Sequence, residues 1–177
     1  GLALGVAASE YTRLSPLVMG LTNIVYTIPS IALLGFLLPF TGIGNTTAVI
    51  ALTVYALLPV IGNTRAGLTN IDPDIIEAAR GMGTGEWQLL WKIKLPLALP
   101  VILTGMRTMA VMTVALAGIA SFIGAGGLGV AIYRGIATNN LAMTVAGSIL
   151  IALMAFVLDR AFHLLERRIP WKRGSAA

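Results

Sequence analysis

The sequence predicts an all-α, polytopic membrane bundle, and three observations carry that prediction. Hydrophobic residues fill 57% of the 177 positions and charged residues only 11%, against roughly 25% charge in soluble domains. Mean hydropathy is +0.89, so there are too few charges to cover a soluble globule and lipid is the expected surround. The charges that do occur fall mostly between long apolar runs. The net charge of +5 is therefore read as membrane topology and not as a nucleic-acid surface, because no basic residues interleave with aromatics along a solvated stretch. With no cysteine, neither a disulfide framework nor a thiolate metal site is expected.

Taken in order, the chain opens in "GLALGVAAS" with neither an initiating Met nor a basic n-region. Residues 1–8 are read as part of a first, incomplete span. From Leu14 to Thr64 no charge occurs; as one helix this stretch would run about 75 Å, against a hydrocarbon core of about 30 Å. It must cross twice, turning at Pro39–Asn45. Ser15 is expected to cap the first of these helices with Pro16 at its first position, and Pro29 and Pro59 are expected to kink their helices. A further span is expected from about Leu97 to Ile123, interrupted by Arg107, and a last one from about Leu141 to Leu158. The result is about five spans, the first incomplete, in a single domain over residues 1–177.

Orientation follows from the Lys and Arg of the connections, which mark the cytoplasmic side. Arg13, Arg65, Arg80, Lys92, Lys94, Arg167, Arg168, Lys172 and Arg173 fall on one side of the alternating path and Arg134 on the other. The loop over about 65–96 and the C-terminus are thus expected in the cytoplasm. The stretch with Gly124, Gly126, Gly127 and Gly129 is expected outside. It spells G-x-G-x-x-G, but a membrane helix leads into it and Ile149 stands about twenty residues on, where a dinucleotide site needs an acid. A sharp turn at the membrane edge, or close packing of a short helix, is the expected role of these glycines.

The loop reads as two short helices. Asp72-Pro73-Asp74 opens the first with a cap, a Pro and acids at the positive end of the helix dipole. Gly81 and Gly83 end it. Thr84 is placed to cap the second, on which Trp87, Leu90, Trp91 and Lys94 fall at i, i+3, i+4 and i+7. Such a stripe suits a helix lying in the membrane interface, anchored by its tryptophans.

A second reading comes from spacing: Glu77-Ala78-Ala79, three residues, Gly83, nine residues, Ile93, one residue, Leu95-Pro96. This pattern resembles the EAA loop of ABC importer permeases. The segments "TIPSIALLGFLLPFTGIG", "YALLPVIGNTRAGL", "FIGAGGLG" and "LLERR" resemble the osmoprotectant branch, whose members import glycine betaine, carnitine and choline. The resemblance implies a type I importer permease fold and a coupling helix at Glu77, Ala78, Ala79, Gly83, Trp87, Ile93, Leu95 and Pro96. It also implies a second permease, two cytoplasmic ATPase subunits, an external binding protein and a bacterial or archaeal inner membrane. ATP and Mg are expected on the ATPase partners, with no cofactor on this chain, which lacks the G-x-x-x-x-G-K-[ST] phosphate loop.

Within the spans, Tyr26, Tyr55, Arg107 and Phe122 are candidates for the substrate pathway, with Tyr133 as a further aromatic able to face a cationic headgroup. Arg107 needs a partner or water. Its depth, counted from the cytoplasmic side, matches that of Asp159 on the returning span, so the two are expected to pair, with Arg160 as the competing partner. His163 has no companion at ligand spacing, and no catalytic arrangement of acids, Ser and His is defensible. Three alternatives stay open here. An ion-coupled carrier would need intramembrane acids or discontinuous helices, for which Asp159 is the candidate relay, and an importer permease could equally serve another small polar solute such as an amino acid. A non-transporting membrane anchor would use the amphipathic loop alone.

Overall fold

A computed structural model describes residues 1–168, and every regular element among them is helical. In order these are α1 (Leu2–Glu10), α2 (Ser15–Thr27), α3 (Ser30–Thr41), α4 (Asn45–Thr69) and α5 (Pro73–Gly81). Then α6 (Glu86–Gln88) runs through a π-helical stretch, Leu89–Lys94, into α7 (Leu95–Ala120) and a 3₁₀ turn, Ser121–Ile123. Two more helices follow, α8 (Gly129–Ala137) and α9 (Leu141–Arg168).

Three helical rods are long and apolar enough to cross a membrane: Asn45–Thr69, Glu86–Ile123 and Leu141–Arg167. The other crossing differs from its expectation. Pro29 does more than kink a helix; α2 and α3 meet at 97° across Ile28 and Pro29. At about 20 Å and 18 Å, neither is long enough to span alone. The cause is visible at the break, where the chain is extended at Ile28, as a residue before Pro prefers, and the Tyr55 hydroxyl of α4 donates to the freed Ile28 carbonyl. Ser15 is also not a cap. It is the first residue of α2, and its Oγ accepts from Arg65 Nε at 2.8 Å.

The bundle is organised around α4 and α7, its most extensive helix pair. Small residues let the two backbones approach. A methyl group on Gly105 would lie 2.6 Å from Asn63 Cβ and 2.9 Å from the Pro59 carbonyl oxygen, and one on Gly67 would lie 3.2 Å from Ala98 Cβ. Two apolar clusters cap the seam: Leu34, Ala48, Ala51, Ala120 and Ile123 at one end, and Leu68, Leu90, Ala98 and Ile102 at the other. By contrast α9 buries only 6% of its apolar window, against 44% for α4, so most of its surface is left for lipid or another chain.

At the α3–α4 turn, Gly42 and Gly44 take positive φ values of 78° and 114°. Thr47, fully buried, donates to the Gly42 carbonyl and lies 2.6 Å from the Thr41 hydroxyl. Polar groups in the turn are thus satisfied internally, as lipid requires.

The start of α8 makes the tightest glycine contact with a backbone atom. A methyl group on Gly129 would sit 2.3 Å from the Gly118 carbonyl oxygen, whereas at Gly126 the nearest atom is 3.8 Å away. Gly129→Ala is expected to cost about 1–3 kcal/mol by overpacking. Gly126→Ala is expected to be near neutral, both being read from thermal unfolding in detergent.

Candidate functional site

The loop between α4 and α7 is built as two arms. Asp72 caps α5, its Oδ1 accepting from the Asp74 N–H at 3.0 Å. Glu77 and Ala78 are exposed on α5 while Ala79 is buried, so one face of the short helix is free to dock. The arm ends at Gly81, and Gly83 takes φ +83°, a conformation that excludes most side chains. Arg80 reaches across the turn to Glu86 at 2.9 Å, but both are well exposed and such a pair contributes little.

The second arm departs from expectation in two ways. Thr84 does not cap it; Gly85 precedes α6, with no side-chain cap. The arm is also not a separate helix, since it continues unbroken into the span as one rod of 38 residues, Glu86–Ile123. The reason lies in its π-helical stretch, where the Leu95 N–H bonds to the Leu90 carbonyl, five residues back. That carries Ile93, Leu95 and Pro96 into α7 without a break.

The stripe faces α1. Trp87, Leu90, Trp91 and Leu95 line one wall of a groove of about 600 Å³, with Leu2, Val6 and Tyr11 opposite. The Trp87 and Trp91 rings lie 5.6 Å apart, tilted by 57°, and stay largely exposed, while Leu90 is buried. Glu10, which also lines the groove, accepts from Lys94 at both carboxylate oxygens, at 2.8 and 3.0 Å.

Inside the bundle, Arg107 and Asp159 pair. Arg107 Nε donates to Asp159 Oδ1 at 2.5 Å and Nη2 to Oδ2 at 2.8 Å, joining α7 to α9 in a bidentate fork. Arg160 turns away, over the Phe156 ring. Glu166, more deeply buried than either partner, lies 3.9 Å from Arg107 Nη1 and 3.7 Å from His163 Nδ1. Among the described residues no His, Cys, Asp and Glu gather into a metal site.

The four pathway candidates do not share one site. Arg107 and Phe122 line adjoining cavities that share Val111 and Ala115. Tyr55, 5% exposed, lines a third with Ser30 and Leu116, and its hydroxyl is committed to Ile28. Tyr26 is exposed on α2. Phe122 and Tyr133 pack edge to face at 5.3 Å.

The glycine stretch forms a turn between two helices, with Gly124 at φ +79° and Gly127 at φ +103°. It is tied to the α3–α4 turn twice: Gly126 N–H donates to Asn45 Oδ1 at 2.9 Å, and Gly44 N–H to the Ile123 carbonyl at 3.0 Å. No strand leads into it, so the G-x-G-x-x-G spelling has no nucleotide-binding context here.

This arrangement, a two-armed loop continuous with a spanning rod, coincides with a match over residues 1–170 to the model of the binding-protein-dependent transport system inner membrane component family. The chain belongs to that family. It is a permease subunit of an ABC importer, and the ion-coupled carrier and the passive anchor are set aside. The permease is 42% identical over 170 residues to the glycine betaine/carnitine/choline transport system permease protein OpuCD of Bacillus subtilis, covering 96% of this chain and 74% of that one. It is 42% identical over 171 residues to the osmoprotectant import permease protein OsmW of Salmonella typhimurium, covering 94% and 80%. It also superposes on a chain of the MetNI methionine ABC transporter, in an inward-facing conformation, with a TM-score of 0.86 at 28% identity, covering 96% and 85%. The family is one of transport components and not of enzymes.

Sequence reasoning found Arg107 and Asp159 from their depths but missed Glu10, Asn45 and Ser15 as partners. Glu10 closing an apolar helix beside the charged loop was the one available signal. A double-mutant cycle tests the α7–α9 fork. With Arg107→Leu and Asp159→Leu, each single change strands a charge, so the double variant is expected to be more stable in detergent than the two single losses sum to. Additive losses would refute an energetic coupling.

Proposed function

We propose that the permease carries a small quaternary-ammonium osmoprotectant, of the glycine betaine, carnitine and choline class, inward across the cytoplasmic membrane of a bacterium or archaeon. The observation that carries this reading is the identity of 42% to a Bacillus subtilis permease named for glycine betaine, carnitine and choline and to a Salmonella typhimurium permease named for osmoprotectant import. A relative of Helicobacter pylori, 40% identical over 173 residues and covering 98% of this chain but 31% of its own length, is named for ergothioneine. Ergothioneine is itself a trimethylammonium carboxylate, which keeps the solute chemistry within one class.

In this reading the loop over 65–96 and the C-terminus are cytoplasmic and the Gly124–Gly129 turn external. Lys172 and Arg173, expected on the cytoplasmic side, lie outside the described residues. Two ATPase subunits hold ATP and Mg and dock on the exposed face of α5 at Glu77 and Ala78. A second permease completes the pathway, and an external binding protein or domain delivers the solute. Closure of the ATPases displaces α5, and the displacement enters the rod Glu86–Ile123 at Trp87. The rod runs from Glu86 to Ile123 as one helix, so movement at its cytoplasmic end is carried toward the external turn provided that the π-helical stretch within it is held.

The test is uptake by proteoliposomes holding the complete assembly, offered labelled glycine betaine, carnitine, choline and, as contrast, methionine. ATP-dependent uptake of the first three, insensitive to dissipation of ion gradients, is the expected result; uptake of methionine alone would overturn the solute class. Gly83→Pro, or Glu77→Arg, is expected to leave the permease inserted and to weaken ATPase binding at least tenfold, a loss of about 1.4 kcal/mol. A cysteine at Leu128, introduced into a chain with none of its own, is expected to react with an impermeant reagent from the outside. Labelling from the cytoplasmic side alone would reverse the topology.

A further inference from the structure

Glu10 and Lys94 are 84 residues apart, and their side chains are only 24% and 13% exposed. An ion pair so covered differs from a surface pair, since losing one partner leaves the other charge poorly solvated. Its place in the fold is specific. Lys94 is the last residue of the π-helical stretch, and α7 begins at the next position.

Three helices form a frame around that point. Helix α1 is seated on α4 through glycines: a methyl group on Gly5 would fall 2.5 Å from Thr64 Cβ, and one on Gly1 2.7 Å from Val60 Cγ1. Helix α4 is seated on α7 at Gly67 and Gly105. The remaining side, between α1 and the arm that leads into α7, is an open groove of about 600 Å³ walled by Leu2, Val6, Trp87 and Trp91. Apolar contact on this side is carried by Val6, which packs against the cluster of Leu68, Leu90, Ala98 and Ile102. The polar contact between α1 and the end of the arm is Glu10 to Lys94.

The π-helical stretch makes this contact necessary. Its i→i+5 bonding is a less regular ladder than the α-helix, and sharp bends in helices concentrate at such places. A force applied at α5 would be absorbed by bending over Leu89–Lys94 unless the end of the stretch were held. Building on the proposed coupling of α5 to ATPase subunits, we infer that Glu10 and Lys94 are positioning residues for transport. Their ion pair is the strut that fixes the far end of the π-helical stretch to α1, so that the loop's displacement moves α1, α4 and α7 together.

The test compares Glu10→Gln, Lys94→Met and the exchanged pair Glu10→Lys with Lys94→Glu in the complete assembly in proteoliposomes. The readouts are ATPase co-purification and solute molecules transported per ATP hydrolysed. The single variants are expected to retain bound ATPase subunits while the transport ratio falls several-fold, and the exchanged pair is expected to regain most of it. An unchanged ratio in the singles, or loss of ATPase binding from them, would overturn the inference. If the singles fail to assemble, the exchanged pair decides: a native ratio supports the strut, and a low ratio or failure to assemble refutes it. Failure of the underlying reading is distinguishable, because it would show as no ATP-driven uptake by the native assembly.

Discussion

The seam between α4 and α7 is the contact on which the rest of the permease depends. In lipid there is little hydrophobic gain from bringing helices together, so close packing of small residues must hold them. Gly67 against Ala98 and Gly105 against Asn63 and Pro59 meet that need. Once the two rods are joined, α1 has a groove to sit in through Gly1 and Gly5, the loop between them has fixed ends, and the two terminal apolar clusters have walls.

A second constraint acts wherever a helix is interrupted. Backbone groups freed inside a membrane must find partners within the protein, and side chains supply several of them here. Tyr55 serves the Ile28 carbonyl at the α2–α3 break and Asn45 serves the Gly126 N–H. Asn63 Nδ2 also donates to the Pro59 carbonyl at 2.9 Å, one turn back within the continuous α4. All three side chains stand on α4. The same helix that anchors the seam therefore braces the α2–α3 break and holds the glycine turn in place.

This explains what could and could not be read from the sequence. Helical class, the span positions and the cap at Asp72 follow from composition, apolar length and local chemistry, all of which are written within a few residues. The Arg107–Asp159 fork was legible because depth in a membrane can be counted along two opposed helices. The 97° angle at Pro29 was not, since Pro limits the local backbone but the angle depends on a tyrosine 27 residues from Ile28. The π-helical stretch was hidden for a similar reason: Leu89–Lys94 has ordinary helix formers, and only its seating against α1 and the Leu68 cluster distinguishes it. Of the candidate site, the register from Glu77 to Pro96 was legible, whereas the continuity of its second arm with α7 was not.

The uneven burial of the helices has a mechanical consequence. Helices α1, α4 and α7 lock together through glycine contacts, while α9 and the α2–α3 pair carry many of the largest uncovered apolar side chains, among them Phe36, Phe40, Phe156 and Val157. Those outer faces are left for lipid or a neighbouring chain. The fork from Arg107 to Asp159 adds directional bonds to the packing that already seats α9 on α7 and α8, where Ile151 meets Gly118 and Thr144 meets Gly135. A bidentate guanidinium–carboxylate pair fixes orientation as well as distance. A rod that moves can thus carry α9 with it through packing and polar contacts together, leaving the uncovered apolar face of α9 to lipid or another chain.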